Sequence, residues 1–215
     1  MQAVSERYLL EQSEHCNILH LISADGLNRL TRERVLELIE VVGELRQDAA
    51  RLDSTAKNAP KPLVITGNQH YFSAGADLKE IASLKAVEAF EFSNMGQKLM
   101  SLIDDFPTPV YAAISGYCMG GGLDLALACD FRICAPNAIF GHRGAALGLV
   151  TGWGGTQGLP RIVGRACAMQ LFAAAEKLHA SEALDIGLVS EISPGPIARC
   201  TAIAEKPAKQ YLHEG

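Results

Sequence analysis

The sequence lacks the features that mark several large protein classes. Its 215 residues contain no Cys-x-x-Cys pair. The longest uncharged apolar stretch, residues 109–123, is interrupted by serine and glycine. It is shorter than the roughly 20 residues that a membrane-spanning helix needs. Lys and Arg number 19 against 24 Asp and Glu, and no basic run occurs. We therefore expect no metal site, no membrane and no nucleic acid among the partners.

Loops typical of common α/β enzymes are missing as well. No Gly-x-x-x-x-Gly-Lys-Ser/Thr occurs, which excludes a P-loop. The segment Gly152-Trp153-Gly154-Gly155 lacks the third glycine of a dinucleotide-binding turn. No Gly-x-Ser-x-Gly is present, which argues against a hydrolase with a nucleophile elbow.

The bulk composition fits a globular protein of a reducing compartment. Apolar residues make up 48% of the chain, enough for one sizeable domain without disulfides. Residues 1–10 are polar and carry both charge signs, unlike a signal peptide. We expect a cytoplasmic protein whose six cysteines are buried free thiols. They are Cys16, Cys118, Cys129, Cys134, Cys167 and Cys200.

Short apolar runs alternate with segments of helical periodicity, which predicts an α/β fold. The predicted strands are two within residues 8–22, then 62–66, 110–114, 130–135, 138–141 and 187–192. The predicted helices are 27–50, 78–84, 87–103, 123–128, 165–175 and one from 181 to 185. Residues 53–61, 67–75, 115–122 and 148–158 are predicted loops.

Two of these loops have the same local pattern of an apolar strand, a turn of small residues and a helix. One turn is Ser73-Ala74-Gly75-Ala76, and the other centres on Gly120-Gly121-Gly122. Small residues leave backbone N–H groups uncovered, and a following helix adds its positive end. Such a turn suits an anion or a developing oxyanion, although close packing alone also explains a glycine triplet.

Four segments together resemble the enoyl-CoA hydratase/isomerase (crotonase) family, in the family's order and spacing. They are Phe72-Ser73-Ala74-Gly75-Ala76-Asp77-Leu78-Lys79-Glu80, Gly116-Tyr117-Cys118-Met119-Gly120-Gly121-Gly122-Leu123-Asp124-Leu125-Ala126, Gly152-Trp153-Gly154-Gly155-Thr156-Gln157 and Ala183-Leu184-Asp185-Ile186-Gly187-Leu188-Val189. The resemblance extends from about residue 18 to residue 192.

The resemblance implies a spiral of ββα repeats with two near-perpendicular sheets and surrounding helices. It implies an oxyanion hole formed by the N–H groups of Ala76 and Gly121. The residues implied in binding substrate or coenzyme A are Ala74, Asp77, Leu78, Gly120 and Gly144. Coenzyme A would enter as part of an acyl-CoA substrate, with no permanently bound cofactor. The family also implies a homotrimer or a dimer of trimers, and a role in fatty acid metabolism.

Asp124 is the candidate catalytic carboxylate. Family hydratases transfer protons with two glutamates, and the resemblance places Asp124 at the first position. Asp124 is also compatible with a plain helix first-turn residue. The second glutamate aligns with Gly144, and the aspartate of isomerases aligns near Gly152. We therefore expect an acyl-CoA lyase or isomerase, with two alternatives: a non-catalytic acyl-CoA binding relative, or a thioester hydrolase or decarboxylase.

The residues before Gly144 leave further alternatives open. Arg143 is either a surface cation or, by analogy with naphthoate synthases, a holder of bicarbonate. His142 is expected to be a hydrogen-bonded structural histidine, although histidine also titrates near neutral pH. We expect a core domain over residues 1–192 and a shortened C-terminal segment over 193–215, where typical members continue through several helices.

Overall fold

The structure is a computed structural model that describes residues 2–52 and 59–205. The strands are β1 (Gln2–Val4), β2 (Tyr8–Gln12), β3 (Asn17–Leu21), β4 (Leu63–Thr66), β5 (Tyr71–Ser73), β6 (Val110–Ile114), β7 (Tyr117–Met119), β8 (Phe131–Cys134), β9 (Ile139–Gly141), β10 (Leu178–His179) and β11 (Glu191–Ile192). The helices are α1 (Arg32–Arg51), α2 (Leu78–Ser83), α3 (Ala86–Asp104), α4 (Gly121–Leu127), α5 (Gly155–Val163), α6 (Arg165–Ala174), α7 (Ala180–Asp185) and α8 (Pro196–Ala204). None of the helices in these ranges is long and apolar enough to cross a bilayer.

The strands form two sheets, and successive strands from β4 to β9 alternate between them. The larger sheet has the order β1-β2-β3-β4-β6-β8-β11, antiparallel through β3 and parallel from β3 to β11. The smaller sheet has the order β10-β9-β7-β5, with β5, β7 and β9 parallel. Thus β4 then β5, β6 then β7, and β8 then β9 each place one strand in each sheet before a helix. This is the predicted α/β architecture of ββα repeats.

The core lies where helices cover the strand faces. Strands β4 and β6 are buried along their whole length, as their uninterrupted apolar runs predict. Helix α1 adds an apolar stripe that includes Val35, Leu38 and Val42, each almost fully buried. The described part of the chain therefore has one main core, which holds the strand ends and helix starts in fixed positions.

Several predicted boundaries were wrong, because short elements carry little periodicity. Helix α1 begins at Arg32 instead of residue 27, since Thr31 caps it by accepting a bond from Arg34 N at 3.3 Å. Strands β5 and β7 lie in the predicted loops 67–75 and 115–122, where three residues are too few to alternate visibly. Helix α5 lies in the predicted loop 148–158 and continues past it, despite two glycines and one proline.

The last predicted strand, 187–192, is mostly a turn. Gly187 has a φ of +72°, and the N–H groups of Leu188 and Val189 both donate to Ala183 O, at 2.8 and 3.2 Å. Of residues 187–192, only the two residues of β11 pair with the larger sheet, through β8. Leu188 and Val189 are nevertheless buried, so their apolar run reflects burial in a turn. The predicted loop 53–61 falls mostly outside the described residues.

Helix α8 follows the proposed boundary at residue 192 and was not predicted. Its Cys200 is fully buried in a small cluster with Val64, Tyr111 and Ile133, on the opposite face of the larger sheet from α1. The part of residues 193–215 that the structure describes thus packs on the sheet. The division into a core and a shortened C-terminal segment stays a prediction.

Arg132 on β8 fixes the far end of helix α4 to the larger sheet. Its Nε donates to Leu188 O at 2.8 Å, and its Nη1 donates to Cys129 O at 2.6 Å and to Ala126 O at 3.3 Å. The side chain is buried, and burial lowers the pKa of this guanidinium. The partial negative charge at the C-terminus of a helix also stabilises a cation placed there. The helix that carries Asp124 is therefore held at its C-terminal end.

The six cysteines are free thiols and five of them are buried, as predicted; the predicted burial of the sixth was wrong. Burial raises the pKa of Cys134 to about 11 and that of Cys129 and of Cys200 to about 12. Cys167 is the partly exposed one. Because the thiolate is the reactive form, we expect one fast thiol in a disulfide-exchange titration of the folded protein near pH 8. Cys167→Ser should abolish that phase, and additional fast thiols in the folded state would contradict the burial.

Gly43 in the middle of α1 offers a stabilising substitution. A Cβ added there meets no atom within 4 Å, and glycine weakens a helix interior. We expect Gly43→Ala to raise the free energy of unfolding by about 0.5–1 kcal/mol in a denaturant titration. Gly96→Ala on α3 should instead lower the free energy of unfolding, because its Cβ would lie 2.1 Å from Trp153. A destabilised Gly43→Ala protein would contradict the prediction.

Candidate active site

A cavity of about 650 Å³ lies between the starts of α2 and α4 and the loop that follows β9. Its lining is mostly apolar, with few polar side chains. The lining residues are Ala74, Gly75, Ala76, Leu78, Ile81, Leu84, Ala89, Phe92, Ser93, Met119, Gly120, Gly121, Asp124, His142, Arg143, Gly144, Ala146, Leu147, Leu149, Val150, Thr151, Gly152 and Trp153. A mostly apolar pocket with a few convergent polar groups is the usual form of a small-molecule site.

Two backbone amides, those of Ala76 and Gly121, approach each other in the lining of this cavity. A Cβ built on Gly121 would lie 3.4 Å from Ala76 N, and one built on Gly75 would lie 3.1 Å from Gly121 N. Gly121 begins helix α4, so its N–H has no partner inside the helix. Within residues 2–52 and 59–205, neither the Ala76 nor the Gly121 amide donates to another backbone group. The two turns thus present a pair of uncommitted donors to one space.

The glycines of these turns permit the close approach. Gly75 has a φ of +89°, and a Cβ there would lie 2.5 Å from Met119 O. Gly120 has a φ of +52° and donates its N–H to Gly141 O at 2.9 Å. A side chain at Gly75 would separate the two turns, and L-residues resist both φ values. The glycines of the two turns are therefore needed to bring the Ala76 and Gly121 amides together.

Trp153 closes one wall of the cavity. Its ring packs so tightly on α3 and α4 that a Cβ at Gly96 or Gly121 would lie within 2.1 or 2.6 Å of it. Its Nε1 donates to Phe92 O at 3.1 Å, and the two rings lie 5.1 Å apart. The side chain is 4% exposed. Trp153 thereby holds the first residue of α4 against α3.

Asp124 lies in the first turn of α4 and carries the only carboxylate among the cavity-lining residues. It is buried at 4% exposure, and its Oδ2 accepts a hydrogen bond from Thr151 Oγ1 at 2.5 Å. Its Oδ1 lies 3.1 Å from His142 Nε2. A Cβ at Gly155 would lie 2.1 Å from Oδ1, so the carboxylate has almost no room to turn. Asp124 is therefore fixed by partners on two other segments.

Gly144 lines the same cavity as Asp124 and has no room for a side chain. It precedes a 3₁₀ turn, Ala145–Leu147, and its carbonyl accepts the N–H groups of Leu147 and Leu149, both at 2.8 Å. A Cβ there would lie 2.6 Å from Leu149 O. Glycine itself has no carboxylate, and the loop as folded also leaves no room for one at this position.

The structure gathers most of the residues that the sequence singled out. The cavity is lined by Ala74, Ala76, Leu78, Gly120, Gly121, Asp124 and Gly144. Asp77 is not among the lining residues; its Oδ1 caps α2 by accepting from Lys79 N at 2.8 Å. Arg143 lines the cavity but is exposed, and the bicarbonate hypothesis stays untested. His142 is hydrogen-bonded, as expected.

Sequence reasoning missed the partners of Asp124. His142 is 18 residues away in the chain and Thr151 is 27 residues away, so no local spacing joins them. Both lie between the second and third family-like segments, where the only sequence signal was a histidine two residues before Gly144. Their convergence depends on the return of the chain from β9 to α5.

Residues 17–209 match the family model described as Enoyl-CoA hydratase/isomerase. The chain belongs to this family. Within the enoyl-CoA hydratase/isomerase family, it is 40% identical over 188 residues to a crotonyl-CoA hydratase of Syntrophomonas wolfei, a match that covers 87% of this chain and 69% of the relative. It is 47% identical over 131 residues to a probable enoyl-CoA hydratase of Bacillus subtilis, a match that covers 60% of this chain and 51% of the relative.

A solved structure supports the fold. The enoyl-CoA hydratase of Bacillus anthracis superposes with a TM-score of 0.83 at 31% identity, over 93% of this chain and 75% of that chain. The crotonase-like fold predicted from the four segments is confirmed, and the enoyl-CoA hydratase/isomerase type of function with it.

Proposed function

We propose that this chain is an enzyme that acts on an enoyl-CoA thioester through an enolate, whose oxygen the N–H groups of Ala76 and Gly121 stabilise. One observation carries the proposal: two uncommitted amides and a buried, doubly hydrogen-bonded carboxylate line the same apolar cavity. The names of the relatives, among them a crotonyl-CoA hydratase, support the thioester class.

The amide pair supplies the electrostatic part of the chemistry. When the double bond of an enoyl thioester is attacked or shifted, charge accumulates on the carbonyl oxygen. Preset donors lower the free energy of that state without reorganising, and one donor is worth on the order of 10²–10³ in rate. The start of α4 adds its partial positive charge at Gly121.

Asp124 supplies the negative charge next to the reacting carbons. Its position one turn after Gly121 places it beside the proposed oxyanion site, and its two hydrogen bonds hold it there. A fixed carboxylate positions an attacking water or governs proton transfer to and from carbon. The reaction we propose is hydration of, or double-bond migration in, a short enoyl group.

The open side of the cavity suits the rest of the coenzyme. We propose that the pantetheine arm follows Ala74, Ala76 and Leu78, with Gly120 and Gly144 bordering the acyl end. Leu78 is 53% exposed, an apolar side chain with little to cover it in the described part of the chain. Asp77 contributes through its backbone, because its carboxylate is committed to capping α2.

The first test is turnover of crotonyl-CoA, followed by loss of the enoyl thioester absorbance and by chromatography of the products. We expect 3-hydroxybutyryl-CoA or a double-bond isomer, with no release of free coenzyme A. Release of free thiol from saturated acyl-CoAs would favour a hydrolase instead. Binding without any product would favour the second candidate function.

That second candidate is a non-catalytic acyl-CoA binding protein. It is favoured by Gly144, where the loop leaves no room for the second carboxylate of a two-carboxylate hydratase. Calorimetric binding of crotonyl-CoA with no change in the thioester would support it. The expected homotrimer, dimer of trimers and cytoplasmic location remain predictions, and so does the absence of a resident cofactor.

A further inference from the structure

His142 is a polar side chain that lines the cavity in contact with Asp124. It follows strand β9, is 7% exposed and lines the cavity with Asp124. The edge of its ring meets Phe172 of α6, with ring centroids 5.3 Å apart. Its Nε2 lies 3.1 Å from Asp124 Oδ1. The imidazole is therefore held from two sides in one orientation.

The carboxylate of Asp124 decides which ring nitrogen carries the proton. Thr151 already donates to its Oδ2, and an ionised carboxylate only accepts hydrogen bonds. The contact between Oδ1 and Nε2 thus requires a proton on Nε2. In a neutral imidazole, the other nitrogen, Nδ1, then carries a lone pair.

That lone pair lies beside the position that Gly144 leaves open. His142 Nδ1 is 3.8 Å from the place that a Cβ on Gly144 would take. Across residues 2–52 and 59–205, Nδ1 has no hydrogen-bond partner. Both residues line the cavity, so a ligand in it can approach this nitrogen directly.

The charged side chains around the ring belong to Asp124, Arg143 and Glu176. Asp124 contacts Nε2, and Arg143 is the next residue along the chain. Glu176 joins His142 in the lining of a second, small cavity behind the ring. An Asp–His pair of this kind stabilises the imidazolium that forms when the free nitrogen takes a proton.

We infer that His142 Nδ1 is the proton-transfer group of the reaction, and that Asp124 acts on it by fixing its tautomer. This inference rests on the proposed function. In hydration, Nδ1 takes a proton from water, the water oxygen bonds to the β-carbon, and the π electrons of the double bond move to the thioester oxygen. The imidazolium then returns its proton to the α-carbon, and the enolate electrons form that C–H bond. One nitrogen therefore serves both transfers.

The test compares His142→Gln, His142→Ala and the control His15→Gln on crotonyl-CoA. The glutamine amide in His142→Gln still donates to Asp124 but takes no proton, and His15 is exposed and does not line the cavity. We expect His142→Gln to lower kcat by about 10²–10⁴ with little change in KM, since that is the range for general acid–base groups. Its kcat–pH profile should lose the limb between about pH 5 and 8 that a histidine contributes. Added imidazole should restore part of the activity of His142→Ala.

Three outcomes would overturn the inference. One is a His142→Gln protein as active as the His15→Gln control. Another is a large loss of activity with the acid limb of the pH profile retained and no rescue by imidazole, which would mark a positioning residue. The third is an inert unsubstituted protein, which would overturn the proposed function at the same time. Circular dichroism of each variant separates these results from unfolding.

Discussion

We expect Asp124→Asn to lower kcat for crotonyl-CoA by about 10²–10⁴ while the protein stays folded. The substitution keeps the volume of the side chain, which the narrow space beside Gly155 requires. It removes the negative charge and replaces one acceptor oxygen with an amide donor. If that amide faces His142 Nε2, it enforces the opposite tautomer and puts a proton on Nδ1. The stabilisation of a developing imidazolium is lost in either orientation.

Two further variants make the result specific. Asp104→Asn removes an exposed carboxylate at the end of α3 and should leave kcat unchanged. Thr151→Val removes only the bond to Oδ2 and should cost less than Asp124→Asn, because the carboxylate keeps its charge and its contact with His142. A kcat for Asp124→Asn within about threefold of the unsubstituted protein would place proton transfer elsewhere.

The second large effect is on stability. We expect Trp153→Ala to lower the free energy of unfolding by about 3–5 kcal/mol, the usual range for truncating a buried aromatic residue. The ring fills the gap between Gly96 and Gly121, neither of which carries a side chain that could move in. The hydrogen bond from Trp153 Nε1 to Phe92 O would be lost as well. Activity should fall too, because the start of α4 loses the wall against which it is held.

A denaturant titration followed by circular dichroism measures this loss without needing the tryptophan signal. Val150→Ala is the matched control: Val150 lines the same cavity but is 82% exposed. Its free energy of unfolding should stay within about 0.5 kcal/mol of the starting value. If Trp153→Ala also changed the free energy of unfolding by less than about 0.5 kcal/mol, the packing of Trp153 would not contribute the stability proposed for it.

The fold was largely predictable because its buried strands are uninterrupted apolar runs. Strands β4 and β6 were located to within a residue. Parallel strands that are covered on both faces are apolar at successive positions, so they stand out in the sequence as continuous apolar runs. Strands β5 and β7 were missed because three residues are too few to reveal a period. Helix α5 was missed because local propensity was outweighed by packing: Gly155 and Leu159 are both buried there.

The sequence predicted the backbone turns of the candidate site and its carboxylate, Asp124, but not the side chains that contact Asp124. Small residues before a helix leave amides uncovered, which pointed to the two turns, and the family resemblance implied Ala76 and Gly121 as the donors within them. The surroundings of Asp124 could not be named this way. His142 and Thr151 reach it from separate segments, and only the three-dimensional path of the chain joins them.

The collision between a Cβ on Gly144 and the carbonyl of Leu149 also bears on how this chain and two-carboxylate relatives interconvert. A glutamate at residue 144 requires the backbone at Leu149 to shift, because its Cβ would lie 2.6 Å from Leu149 O. The two arrangements are therefore separated by epistasis. An evolutionary step between them requires the loop to change shape before, or together with, the acid.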